Sequence, residues 1–210
     1  MKITALTSQV KNPDRVNVFI DTRYSFSLTL TQILDEKIKV GLELDEQRLE
    51  NLKKLSDEGK IYSRALEWLL RRPHSVKEFK EYMYRKKVDP ELTQLLVDKF
   101  TKNGHLNDQN FANWWVTGRL AKNKSLRFIT GELKQKGIDQ NTILNVLDEH
   151  GALQDQNGQN SDQEALKILV QKLISRPRYA DQNKLMRYLV GKGFSYSDVK
   201  AVLAGNNEQF

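Results

Sequence analysis

HLNDQNFANWWVTGRLAKNKSLRFITGELKQKGID, residues 105–139, is the stretch that decides the fold of this chain. Asn107 and Asp108 both suit a helix start. Phe111, Trp114, Trp115 and Gly118 follow at i, i+3, i+4 and i+7, one face of a helix expected over residues 108–121. That spacing puts at least one of the two adjacent tryptophans in a core. The other, turned by about 100° around the axis, falls at a boundary between units. Ser125 then caps a second helix, with Ile129 and Leu133 on its buried face and a basic, glycine-containing end before Ile138.

The same pattern occurs on both sides of this stretch. Val88, Ile138 and Phe194 each follow a basic segment and serve as anchors. Nine residues before them stand Phe79, Ile129 and Leu185, and five before them Met83, Leu133 and Leu189. Eight and nine residues after them stand Leu96-Val97, Val146-Leu147 and Val202-Leu203. Ser75, Ser125 and Asp181 are N-caps in register with one another, and Ser75 with Glu78 fits a capping box. A further helix precedes each cap, at about 63–71, 108–121 and 162–175. The chain is therefore expected to be mainly α. Three tandem three-helix repeats, over 61–105, 106–153 and 163–210, would stack into an elongated, curved body. The Gln/Asn/Gly-rich segment 154–162 has nothing apolar to bury and reads as a flexible linker.

Residues 1–60 differ. Ile3 to Ser8, RVNVFI (15–20) and YSFSL (24–28) are β-branched or aromatic, with turn signals at Asn12-Pro13-Asp14 and Asp21-Thr22-Arg23. They predict a small β-hairpin or three-stranded sheet. Leu30, Ile33 and Leu34 suit one short helix; Leu49, Leu52 and Leu55 suit another that begins near Asp45.

Composition narrows the function. The 210 residues contain no cysteine, which excludes disulfides and thiolate metal sites. His74, His105 and His150 lack metal-ligand spacing, and no phosphate-loop, dinucleotide, nucleophile-elbow or zinc-protease motif occurs. No cofactor is expected, and the chain reads as a non-enzyme. No apolar run suits a signal peptide or a membrane span, so a cytoplasmic monomer without membrane contact is expected.

The net charge of +7 is unevenly placed. Residues 1–60 carry ten basic and ten acidic side chains, whereas 61–210 carry 24 and 17. A polyanionic partner is implied for the second region. Basic residues recur at two places in each repeat. The first is the turn between the first two helices: Arg71 and Arg72, then Lys122, Lys124 and Arg127, then Arg176 and Arg178. The second is the end of the middle helix: Arg85, Lys86 and Lys87, then Lys134 and Lys136, then Lys192. Cations at helix C-termini complement the macrodipole and need no ligand. That leaves Lys124, Arg127 and Arg178, which sit near helix starts, as the best partner-binding candidates together with Arg72. Direct DNA binding by helix-turn-helix-like repeats is the alternative, although DPELTQLLVDKF and DQNTILNVLDEH carry little positive charge for recognition helices. A purely structural helical adaptor is a third possibility.

These residues resemble the RecX family, regulatory proteins of the RecA recombinase. The resemblance lies in Gly104, Leu106, Asn107, Asp108, Phe111 and Ala112, then Ile129, Glu132, Leu133, Lys136, Gly137 and Ile138. Ala65, Leu66, Leu69, Arg72, Ser75 and Glu78 carry it into the first repeat, and YLVGKGFSYSDVKAVL (188–203) into the third. Ser125 and Phe128 stand where the family often has Gly and a second Arg. The resemblance implies a partner, the RecA filament on single-stranded DNA, occupied along its helical groove. It also implies inhibition of ATP turnover and strand exchange, or promotion of filament loss.

Overall fold

The computed structural model describes residues 1–10, 12–150 and 161–207. They form two compact units: Met1–Arg72 with Val88–Leu96, and Pro73–Lys87 with residues from 97 onward.

The first unit holds a three-stranded antiparallel sheet, β1 (Ile3–Ser8), β2 (Arg15–Ile20) and β3 (Arg23–Thr29), in that spatial order. Asp21 and Thr22 join β2 to β3 with φ of 46° and 71°. Positive φ at both central residues matches the twist of the paired strands and gives a two-residue hairpin, with Ile20 opposite Arg23. Thr29 starts α1 (Leu30–Asp35) through a reciprocal capping box with Gln32, and Asp45 caps α2 (Glu46–Leu69). Ile3, Val18, Phe26 and Leu28 of the sheet pack with Ile38, Leu44 and Leu52.

The expected break at 60/61 falls inside α2, which runs unbroken for 24 residues. The two helices read separately around Leu52 and Leu66 are one. Nothing between them stops a helix, and Gly59 sits where α2 passes close over the sheet. A Cβ at Gly59 would lie 3.2 Å from Gln32 Nε2 and 3.3 Å from Arg15 Nη1. Arg15 is buried on β2. Its Nη2 donates to the Ser27 carbonyl at 2.6 Å and to the Ser56 carbonyl at 3.3 Å, tying sheet to helix.

In the second unit, α3 (Val76–Arg85) belongs to the first repeat. The repeat's third helix, α4 (Pro90–Lys102), starts in the first unit and ends in the second. The middle repeat is α5 (Asp108–Leu120), α6 (Leu126–Gln135) and α7 (Gln140–Glu149). The last is α8 (Ser161–Ile174), a 3-10 turn at Pro177–Tyr179, α9 (Gln182–Gly191) and α10 (Tyr196–Asn207). Ser75, Ser125 and Asp181 cap their helices as their types require. The flexible-linker expectation for 154–162 lies outside the described residues except at Ser161 and Asp162, which begin α8.

The middle repeat buries Phe111, Ala112 and Val116 of α5 against Ile129, Leu133, Ile138, Ile143, Val146 and Leu147. The last repeat buries Leu185, Leu189, Phe194, Val199 and Leu203 with Leu166, Leu169, Val170, Leu173 and Tyr179. Each large apolar side chain so enclosed contributes about 1.5–3 kcal/mol. The face expected for α5 needs correcting. Its core side is Phe111, Ala112 and Val116; Trp114 is 42% exposed, Gly118 is exposed, and Trp115 is only partly buried at the edge of the cluster. Small residues at 112 and 116 let α5 lie close to α7. Trp115 stays at the rim because its indole N–H needs an acceptor, which Glu132 supplies.

Candidate partner interface

The boundaries between repeats use one geometry twice. At the first, the Val76 N–H donates to Asp108 Oδ1 at 2.9 Å, Ser75 Oγ to the Lys136 carbonyl at 2.8 Å, and Lys77 Nζ to the Gln135 carbonyl at 2.8 Å. At the second, the Leu126 N–H donates to Asp162 Oδ1 at 2.6 Å, the Ser125 N–H to the Lys192 carbonyl at 3.1 Å, and Lys124 Nζ to the Gly191 carbonyl at 2.9 Å. The start of each middle helix thus meets an aspartate from the next repeat's first helix and the carbonyl end of its middle helix. Orphan donors meet orphan acceptors, and the partial charges of the two helix ends oppose.

Close approach requires glycine at the turn. Gly137 (φ 82°) and Gly193 (φ 101°) end the docking helices. A Cβ would fall 2.9 Å from Lys77 Cβ at the first and 2.4 Å from Phe128 Cβ at the second. The first repeat has no earlier middle helix to dock on, and there Lys87 takes the same left-handed backbone (φ 56°) with its side chain exposed. At the other end, Asp181 accepts from the N–H groups of both Asn183 and Lys184, so α9 caps itself.

Charged groups reinforce the first boundary. Lys136 Nζ donates to Glu78 Oε1 at 2.5 Å and lies 5.2 Å from the Trp115 ring centroid, while Glu78 Oε2 is 3.2 Å from His74 Nδ1. Glu132 Oε2 accepts from Trp115 Nε1 and from Arg119 Nε, whose guanidinium also sits 4.2 Å from the Trp115 centroid. Burial pushes the Asp108 carboxyl above its ordinary pKa, against the opposing effect of the Val76 N–H. Asp139, fully exposed at the cap of α7, is held below its ordinary value by the Thr142 hydroxyl and backbone.

The basic candidates separate accordingly. Lys124 and Lys136 are built into the boundaries: Lys124 Nζ also lies 3.9 Å from the Phe128 centroid. Lys122 lends its carbonyl to Lys192 Nζ, leaving its own side chain exposed. Arg127 and Lys134 are exposed on α6, and Arg176 and Arg178 are exposed at the 3-10 turn, Arg178 lying 5.9 Å from the Tyr179 centroid. Lys86 and Lys87 are exposed beyond α3, Lys86 lying 5.7 Å from the Tyr82 centroid. In the first unit Arg71 pairs with Glu67 at 3.2 Å, and Arg72 is half-buried. Asp108, Asp162 and Glu78 do not stand out in the sequence as boundary residues. The one signal there is Asp108, a second residue of capping type directly after Asn107, which already caps α5.

The fold and its boundaries define a class: non-identical three-helix modules in tandem, joined by cross-capping, that follow a β-containing segment in chain order. Residues 1–45 match the regulatory protein RecX N-terminal domain, 107–147 the second three-helix domain of RecX, and 160–203 its third. Regulatory protein RecX of Bacillus subtilis is 30% identical over 206 residues, covering 96% of this chain and 75% of the relative. That of Listeria welshimeri is 29% identical, covering 99% and 77%. A crystal structure of regulatory protein RecX superposes with a TM-score of 0.70 at 23% identity, over 97% of this chain and 98% of the other. The crystal structure of RecX from Lactobacillus salivarius gives 0.54 at 25% identity, over 71% and 96%. The chain belongs to the RecX family of regulatory proteins. Among the described residues no helix is long and apolar enough to cross a membrane.

Proposed function

We propose that this chain regulates a RecA-type recombinase by binding its filament on single-stranded DNA and limiting ATP hydrolysis and strand exchange. Family membership, with RecX domain matches at both ends of the chain, is the observation that carries this reading. The charge supports it. All of the basic excess lies after residue 60, and Lys86, Lys87, Lys122, Arg127, Lys134, Arg176 and Arg178 are exposed. Weak contacts to phosphates and acidic protein surface, spread over linked modules, add through avidity. Lys124 and Lys136 act indirectly in this scheme, by fixing one repeat on the next.

The test is single-stranded-DNA-dependent ATP hydrolysis by the cognate recombinase, titrated with this protein at two salt concentrations beside a DNA-only binding measurement. Inhibition well below the concentration that coats bare DNA, weakening with salt, is expected. Inhibition only where DNA is already saturated would favour direct DNA binding. Untouched hydrolysis at stoichiometric excess would sink the proposal.

A further inference from the structure

Between α6 and the α9–α10 corner runs an open groove of about 560 Å³, lined in part by Arg127, Gly131, Gln135, Val190, Phe194 and Tyr196. We infer that this groove holds one unstacked nucleotide of a single strand, its base against the Tyr196 ring and its phosphate at the Arg127 guanidinium. The inference rests on the reading above for the class of polymer and assigns it a place on the chain.

Three observations carry it. Tyr196 is 59% exposed, so its ring is available to stack, and every base offers a π-face. The Arg127 side chain is exposed, and no ion pair among the described residues involves its guanidinium. The groove's own carboxylate, Glu132, accepts from Arg119 and Trp115; nearby Asp198 accepts from Ser195 Oγ. Arg119 offsets the charge of Glu132, while Asp198 and Asp162, whose Oδ2 accepts the Arg127 backbone N–H at 3.3 Å, keep theirs; the phosphate site is therefore the exposed Arg127 guanidinium alone. Gly131 is the third. Glycine is disfavoured inside a helix, yet a Cβ there would meet nothing within 4 Å. No packing demands the glycine, and its missing side chain keeps the groove open.

An apolar protein anchor fits less well. Such anchors fill deep, fully desolvated pockets. Here Val190 is 40% exposed, and the rim holds an amide, a guanidinium and a phenol ring. A flat base against the Tyr196 ring and over Gly131, with a phosphate at the rim, suits that mixture.

Photocrosslinking tests it with the full chain. The probe is a 5-iodouracil oligonucleotide, bare and assembled with the cognate recombinase, with adducts mapped by mass spectrometry and ATP hydrolysis read in parallel. An adduct at Tyr196 is expected, retained in Tyr196→Phe and lost in Tyr196→Ala. Arg127→Gln should lower its yield at least fivefold. Gly131→Leu is the sharpest variant: it should melt no lower than wild type and yet lose the adduct, because it fills the groove. Wild-type inhibition of hydrolysis without a Tyr196 adduct overturns the groove and leaves the filament reading standing. A Tyr196 adduct on bare oligonucleotide without any effect on hydrolysis does the reverse. Capture of the recombinase instead of the oligonucleotide by benzoylphenylalanine at Gln135 assigns the groove to protein and also overturns the inference.

Discussion

Asp108 Oδ1 accepts the Val76 N–H at 2.9 Å across one repeat boundary, and Asp162 Oδ1 accepts the Leu126 N–H at 2.6 Å across the next. In both cases the helix being capped already has its own serine, so the aspartate satisfies a second orphan donor and links two modules. Because the carboxylate comes from another repeat, the cap also reports whether the modules are docked.

The ionisation of Asp108 predicts how this boundary responds to pH. Burial raises its pKa above the ordinary 3.8, so the folded chain binds that proton more tightly than the unfolded one. Its contribution is therefore most favourable below the unfolded pKa and declines as pH rises through the folded value. Asp139 runs the other way: its pKa is depressed, so its stabilisation is present above 3.8 and lost as pH falls through the folded value. Asp108→Asn keeps an oxygen acceptor for Val76 without the buried charge, and should hold or raise the melting temperature at pH 7. Asp108→Ala loses the cap and should cost about 1 kcal/mol. Carboxyl NMR should place the Asp108 midpoint above that of Asp139; the opposite order would remove the desolvation argument.

The turn residues predict a second contrast. Gly193 combines a φ of 101° with a Cβ position 2.4 Å from Phe128 Cβ. Gly193→Ala adds roughly 1–2 kcal/mol of left-handed backbone cost to that overlap, and should destabilise by roughly 3 kcal/mol in urea unfolding. Lys87 occupies the same turn with an exposed side chain, so Lys87→Gly relieves strain without losing packing. It should be neutral or stabilise by up to about 1 kcal/mol. A loss in Gly193→Ala no larger than the gain in Lys87→Gly would mean that backbone conformation, not docking, sets the requirement.

Much of this architecture is legible in the sequence. The caps Ser75, Ser125 and Asp181 and the anchors Ile129, Leu133, Leu185 and Leu189 follow from local rules, since capping and 3.6-residue periodicity act within a few residues. The join of α2 is not, because the close approach that suits a glycine at 59 comes from Gln32 and from Arg15 on a distant strand. The α5 face is misplaced by sequence for a related reason: hydrophobicity alone favours Trp114 over Ala112, while close approach to α7 favours the smaller side chain. Among the basic residues, sequence gives charge but not commitment. Lys124 and Arg127 look equivalent there, and it is the Gly191 carbonyl and the Phe128 ring, both met by Lys124, that distinguish them.

The tryptophan pair supplies a third prediction. Trp115 holds Glu132 and lies against Arg119 and Lys136, whereas Trp114 is 42% exposed and touches Phe111 and Trp115 at ring-centroid distances of 6.0 and 5.9 Å. Trp115→Phe should cost about 1–2 kcal/mol, because the Glu132 acceptor loses its indole donor. Trp114→Phe should change stability by less than about 0.5 kcal/mol. Thermal denaturation of the two variants measures the difference.

Charge substitutions should sort the lysines from the arginines. Lys136→Met leaves Glu78, whose side chain is 9% exposed, without its ammonium partner. The expected loss is roughly 2–3 kcal/mol, below that of a fully buried pair because the Lys136 side chain is 33% exposed. Arg127→Glu and Arg178→Glu lie at exposed positions and should leave the melting temperature within about 2 °C of wild type. On the filament reading they should weaken inhibition of ATP hydrolysis. Substituting either with Gln should lower the salt slope of binding by about one for each phosphate no longer neutralised. Lys136→Met, compared at a temperature where it remains folded, should keep the wild-type slope, because its ammonium faces Glu78 and Trp115 instead of a partner. A reduced slope for Lys136→Met with unchanged stability would reverse the assignment, making the boundary lysine the group that meets the partner.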